Sequence, residues 1–138
     1  MTRFSFGHCL LGVVYEILQE RGAFNENLKP LNQKFLYHVP CHLKSQAIGL
    51  PAQDILEEIG GVKVQTADTG CCGISGNYGF RKDKYNISMK IGAKLFERVK
   101  RKDFDRVISD CGTCRMQIHH GSGIKPCHPI EILAQAYQ

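Results

Sequence analysis

The chain has 138 residues, 43% of them hydrophobic, with 18 Lys+Arg against 13 Asp+Glu and a net charge of +5. That length suits one domain able to bury roughly two-thirds of its unfolded surface, and no apolar run approaches the roughly 18 to 20 residues that cross a bilayer. Seven cysteines, an odd number with no secretory leader pattern ahead of them, argue against a disulfide framework and for thiols kept reduced in a cytoplasm.

Residues 5–21 form an amphipathic pattern, with Leu10, Val14, Ile17 and Leu18 on one stripe and Gly22 placed to end a helix. A polar stretch from Asn25 to Asn32, containing Pro30, follows. The chain therefore divides into an N-terminal helix and linker over 1–33 and a main domain over 34–138. Phe35-Leu-Tyr-His-Val39 predicts a strand closed by Pro40, which places Cys41 where a parallel strand ends and its crossover begins. Pro51, followed by Ile55, Leu56 and Ile59 and stopped by Gly60-Gly61, predicts a helix. Val62-Lys-Val-Gln-Thr66 alternates like a strand and leads into Thr69-Gly-Cys-Cys-Gly73.

The longest helical pattern is Asp83 to Lys102, with Ile87, Ile91, Leu95 and Val99 as its expected core stripe. Arg106-Val-Ile-Ser109 predicts another strand, and Asp110-Cys-Gly-Thr-Cys114 opens a helix running to about His119. Ile124-Lys-Pro-Cys127 predicts a short final strand, and Pro129 a last helix carrying Ile132, Leu133 and Ala136. Strand and helix alternate about four times. The expected class is α/β, a parallel sheet flanked by helices on both faces, with a metal-cluster site at the C-terminal edge of the strands.

Five cysteines stand in the pattern C-x29-CC-x38-C-x2-C: Cys41, Cys71, Cys72, Cys111 and Cys114. Lone cysteines such as Cys9 and Cys127 read as small buried hydrophobes. A vicinal pair on a Gly-flanked turn together with a CxxC reads instead as a set of ligands. Thiolates in that number suit a soft transition metal or an iron–sulfur cluster. The glycine-rich loop, with Gly70, Gly73 and Gly76, would wrap such a group with backbone amides as donors to sulfur, and Asn77, Tyr78 and His128 are candidates for outer hydrogen bonds. The loop lacks the spacing of a nucleotide-binding glycine motif.

Two other chemistries stay open on the residues alone. A zinc-stabilised interaction module could use four of these ligands, with His42 or His128 as mixed partners. A thiol–disulfide enzyme would use Cys111 and Cys114 only. The basic runs at Arg81-Lys-Asp-Lys84 and Arg98-Val-Lys-Arg-Lys102 read as solvated helix ends, with anionic headgroups or an acidic partner subunit as functional alternatives. Nucleic acid is not expected, because neither a recognition motif nor interleaved aromatics are present.

Beyond the cysteines, Tyr37-His-Val-Pro-Cys-His42, Gly70-Cys-Cys-Gly-Ile-Ser-Gly-Asn-Tyr-Gly79, Ser109-Asp-Cys-Gly-Thr-Cys114 and His128-Pro-Ile-Glu131 resemble, in order, the blocks of the cysteine-rich CCG domain. That domain occurs in the B subunit of heterodisulfide reductase and in the C subunit of anaerobic glycerol-3-phosphate dehydrogenase. The resemblance covers roughly residues 34–138 and fits the C-terminal copy of a two-copy architecture, so the chain is expected to be a portion of a longer arrangement or to pair with itself as a homodimer. It implies a non-cubane four-iron, four-sulfur cluster on Cys41, Cys71, Cys72, Cys111 and Cys114. The implied role is a non-catalytic electron-transfer subunit of an anaerobic oxidoreductase. Electrons would pass between a flavin dehydrogenase or ferredoxin-like partner and a quinone or thiol/disulfide acceptor. The expected location is cytoplasmic, with peripheral association on the inner face of the cell membrane as a further option.

Overall fold

A computed structural model describes residues 10–138, with side chains from Val14 onward. Cys9 and the first residues of the predicted leading helix lie outside the described residues. The apolar run after the linker forms β1 (Lys34–Tyr37), flanked by β2 (Lys63–Thr66) on one side and β3 (Arg106–Ile108) on the other. All pairings are parallel, with Tyr37 opposite both Thr66 and Ile108. The ladder continues one step past the strand ends: Ala67 N donates to Tyr37 O at 2.8 Å and His38 N to Ile108 O at 3.0 Å. The expected fourth strand shrinks to a single bridge between Cys127 and Ile108. Pro126 has no N–H to offer a ladder, so pairing there stops at one residue.

Alternation along these short strands divides the core in two. Phe35, Tyr37 and Ile108 face a cluster built with Ile55 and Leu56 of α3 (Pro51–Glu57) and Ile132 and Leu133 of α6 (Pro129–Ala136). Leu36 and Val107 face the other way, onto Leu95 and Val99 of α4 (Tyr85–Lys100) and Ile118 of α5 (Gly112–Ser122). Each fully buried aromatic or aliphatic side chain of this kind contributes about 1.5–3 kcal/mol by leaving water. The helix layers follow from the strand order. The chain steps from β1 to β2 in one direction and then back across β1 to β3, and right-handed crossovers taken in opposite directions put α3 on one face and α4 on the other. At the N-terminal end α1 (Leu10–Glu20) lies against α3, with Tyr15 edge-on to Phe24 at 5.1 Å. Among the described residues no helix is long and apolar enough to cross a membrane.

The expected core stripe of α4 is out of phase. Leu95 and Val99 are buried, but Ile87 and Ile91 are 44% and 45% exposed, and the inner face is completed by Ser88, Gly92 and Phe96. Strict four-residue steps drift around a helix of 3.6 residues per turn. The near half of α4 also meets backbone rather than side chains, which only small residues allow. A Cβ added at Gly92 would stand 2.4 Å from the carbonyl oxygen of Cys72 and 2.6 Å from Phe96 Cζ. Helix α5 likewise continues past His119, where its end was expected, because Gly121 lies under the Phe96 ring; Gly123, at φ +77°, ends it by returning its N–H to His119 O at 2.9 Å.

In an exposed helix, Gly→Ala stabilises by about 1 kcal/mol. Here Gly92→Ala is expected to destabilise by about 1–3 kcal/mol through overpacking. Urea unfolding checks the sign, and an unchanged or raised midpoint would mean that α4 is not seated on the cysteine turn.

Candidate metal centre

The site lies where β1 and β3 end side by side, the point at which the strand order reverses and an open α/β sheet leaves a crevice. Continuing the strand alternation by one step puts His38 on the same face as Leu36, and Ser109 on the same face as Val107. Both are buried, His38 at 1% and Ser109 at 0% exposure. Cys72 and Cys114 belong to the apolar cluster on that same face. Their Sγ atoms are 3.4 Å apart, and both cysteines are free. One Cys72–Cys114–His38 group results, in which a ring nitrogen of His38 and the two sulfurs all lie within 4.8 Å of one another.

The other three predicted cysteines surround this buried pair. Cys41 is the exposed first residue of α2 (Cys41–Lys44) and is in side-chain contact with Cys71. Cys71 Sγ accepts the N–H of Gly73 at 3.3 Å. Cys111 occupies the position just before α5, with Sγ 3.1 Å from Thr113 Oγ1, and also interacts with Cys114. All five sulfurs that the sequence singled out thus converge at the C-terminal edge of the sheet, although they come from three separate stretches of chain.

The thiols ionise unequally. The hydrogen bond with Cys114 pulls Cys72 down to about 4, against its own burial and with help from His38 and the backbone N–H of Ile74. Cys114, as the partner that keeps the proton, is pushed far above the ordinary thiol range by that same bond and by burial. Burial resists ionisation of Cys111 too, but the hydroxyl of Thr113 and the first backbone N–H groups of α5 outweigh it and bring the thiol down. Cys41 is raised, by burial first and then by the neighbouring Cys71. Free Cys127 is raised by burial, as expected of a packed thiol, and its sulfur faces Val107 O at 3.6 Å.

A polar brace not foreseen from the sequence holds the cysteine turn in place. Gly73, at φ +101°, comes so close to α4 that a Cβ would fall 2.1 Å from Ser88 O. Ser88 Oγ donates to Gly73 O at 2.8 Å and accepts from Gln117 Nε2 at 3.0 Å, so one buried hydroxyl ties the turn to both helices of that face. On the β3 side, Arg115 Nη1 donates to Ser109 O at 2.8 Å and the Tyr37 hydroxyl donates to Asp110 Oδ2 at 2.5 Å.

The remaining predicted contacts are spread out. Gly70 and Gly76 sit at positive φ with open space over their Cα atoms. Asn77 is exposed, and the half-buried Tyr78 ring lies under Lys84 Nζ at 5.8 Å. His128 caps α6, its Nδ1 accepting from Ile130 N at 3.0 Å while its own backbone N–H goes to Glu131 Oε1 at 2.9 Å; burial, then Arg115, holds its ring below the usual histidine range. His42 is exposed. The residue that sequence reading passed over is His38. Its signal was available in the alternation that puts positions 36 and 38 on one face, but only the fold shows that Cys72 and Cys114 arrive on that same face.

Removing the brace has a defined cost. Ser88→Ala would leave Gly73 O and Gln117 Nε2 buried without their partner and is expected to destabilise by about 1–3 kcal/mol. Faster amide exchange confined to residues 71–79 is its expected local signature, and uniform exchange would argue against it.

Residues 35–119 match the cysteine-rich CCG domain. The chain is 42% identical over 109 residues to the C subunit of anaerobic glycerol-3-phosphate dehydrogenase from Escherichia coli, a match covering 79% of this chain and 28% of that protein. It is 34% identical over 119 residues to the B subunit of fumarate reductase (CoM/CoB) from Methanothermobacter marburgensis, covering 80% and 24% respectively. An uncharacterized iron-sulfur protein of Methanocaldococcus jannaschii is 32% identical over 106 residues, covering 76% and 21%. The chain thus spans about a quarter of the length of these curated relatives. No solved structure matches it. With that model matching residues 35–119, more than half of the chain, the chain belongs to the cysteine-rich CCG domain family.

Proposed function

We propose that this domain holds an iron–sulfur cluster of the non-cubane four-iron kind on Cys41, Cys71, Cys72, Cys111 and Cys114, and that it serves as an electron-transfer unit of an oxidoreductase. The reading is carried by one observation, the unbonded approach of Cys72 and Cys114 to 3.4 Å with the other three thiols grouped around them. The donor set fits such a group. Five sulfurs exceed the four that a cubane takes, they are thiophilic ligands, and Cys72 is ionised well below neutral pH. A cluster of this kind, when bound, accepts and releases single electrons.

The chain's own residues supply the setting. The N-terminus of α5 and the Gly73 N–H bring positive potential toward sulfur, while Leu36, Ile74 and Val107 keep water from the inner side. Exposed Cys41 leaves the outer side within reach of another protein. Similarity to the C subunit of a glycerol-3-phosphate dehydrogenase and the B subunit of a fumarate reductase favours a flavin dehydrogenase or ferredoxin-like donor and a quinone or thiol/disulfide acceptor. The basic surface near residues 81–84 and 98–102 suits an acidic partner or an anionic membrane face, on the cytoplasmic side. Part of that charge is already engaged, since Arg98 pairs with Asp103 at 2.7 Å and Arg81 with Asp83 at 2.9 Å.

A second reading rests on the tight grouping of His38, Cys72 and Cys114, which is also a three-ligand set for one zinc ion. Anaerobic purification with iron, zinc and sulfide quantitation separates the two. The expected result is a brown protein with about four irons and matching sulfide per chain, and loss of most of that iron in Cys72→Ser and Cys114→Ser. A colourless protein with stoichiometric zinc would replace the cluster reading with the zinc one.

A further inference from the structure

We propose that His38 is an N–H donor to the Cys72 sulfur at the bound cluster, a positioning residue that sets the reduction potential; this rests on the cluster reading above. The ring is 1% exposed, and among the described residues neither of its nitrogens completes a hydrogen bond, although the ring lies close enough to Cys72 to favour that thiolate. Its backbone cannot withdraw, because His38 N is tied to Ile108 O and Tyr37 O to Ala67 N, which fixes the residue between both neighbouring strands. A buried imidazole left in this way is costly unless a partner completes it, and what it faces is the pair of sulfurs within 4.8 Å.

The assignment as donor follows from how the other sulfurs are served. Cys71 receives the Gly73 N–H from its own turn, and Cys111 lies against the Thr113 hydroxyl in the first turn of α5. Cys72 has the Ile74 backbone N–H from its own turn. His38, just past the end of β1, brings a ring nitrogen within 4.8 Å of both deep sulfurs. Five thiolates already saturate the metal-binding role, whereas a buried anionic centre gains from each added N–H. A donor to thiolate sulfur favours the more negative, reduced state, so its removal lowers the potential.

The test uses the full chain carrying its cluster, as wild type, His38→Leu and His38→Asn, with three readouts: iron and sulfide per chain, midpoint potential, and pulsed EPR on protein labelled with 15N-histidine. The expected results are weak nitrogen coupling in the wild type, full iron but a more negative potential in His38→Leu, and partial recovery in His38→Asn, which keeps an N–H. An unchanged potential in an iron-replete His38→Leu overturns the proposal and leaves the cluster reading standing. Strong coupling from a directly bound nitrogen overturns it in favour of ligation. A wild-type protein without iron overturns both. If His38→Leu does not fold or load, the wild-type coupling and the His38→Asn potential decide.

Discussion

The structure depends on one costly constraint, the burial of two ionisable sulfurs and an imidazole at the mouth of a parallel sheet. Cys72 and Cys114 are 3% and 6% exposed and meet without bonding. Cys114 keeps its proton and Cys72 is held as a thiolate, in an apolar cluster made with Leu36, Val107 and Ile118. A fold optimised only for stability would fill that place with aliphatic side chains, because a buried charge without full compensation is unfavourable. A thiophilic, positively charged core held between the sulfurs is the compensation that the donor set suits.

Much of the surrounding architecture serves to bring that group together. The reversal of strand order places the ends of β1 and β3 beside each other, and the helix layer on the Leu36 face supplies Cys114 directly and buttresses the turn that carries Cys72. The buttress uses absence as much as contact. Gly73 and Gly92 let the turn and α4 approach to backbone distance, and Ser88 converts that approach into hydrogen bonds with Gly73 and Gln117. Side chains that would fill a normal helix–sheet interface are missing here because the main chain itself occupies the space. That is also why Ile87 and Ile91, apolar but too large for this interface, face outward.

The electrostatics divide the site into a deep and an outer part. Cys72 and Cys114 are held from the inside by His38 and by each other, whereas Cys41 is exposed and Cys111 and Cys71 are half-buried. The chain spans about a quarter of its relatives' length, and the outer part, with exposed Cys41, is the side of the site open to its surroundings.

The five-cysteine pattern, the α/β class and the parallel sheet were legible in the residues. Thiol spacing, strand-ending prolines and Gly stops are local chemical signals that survive without tertiary context. What the residues alone could not decide was which surfaces meet. Apolar periodicity describes a helix as though its neighbour were a flat apolar face, so it misplaced the inner side of α4, where the neighbour is the backbone of the Cys72 turn. A histidine in a strand is silent in one dimension, and His38 gained its meaning only when folding carried Cys72 and Cys114 to the same face of β1. The sequence by itself determined which thiols are present and the edge of the sheet at which they gather. The tertiary structure decided their pairing, their ionisation and the company they keep, because those depend on distances between segments that no local pattern encodes.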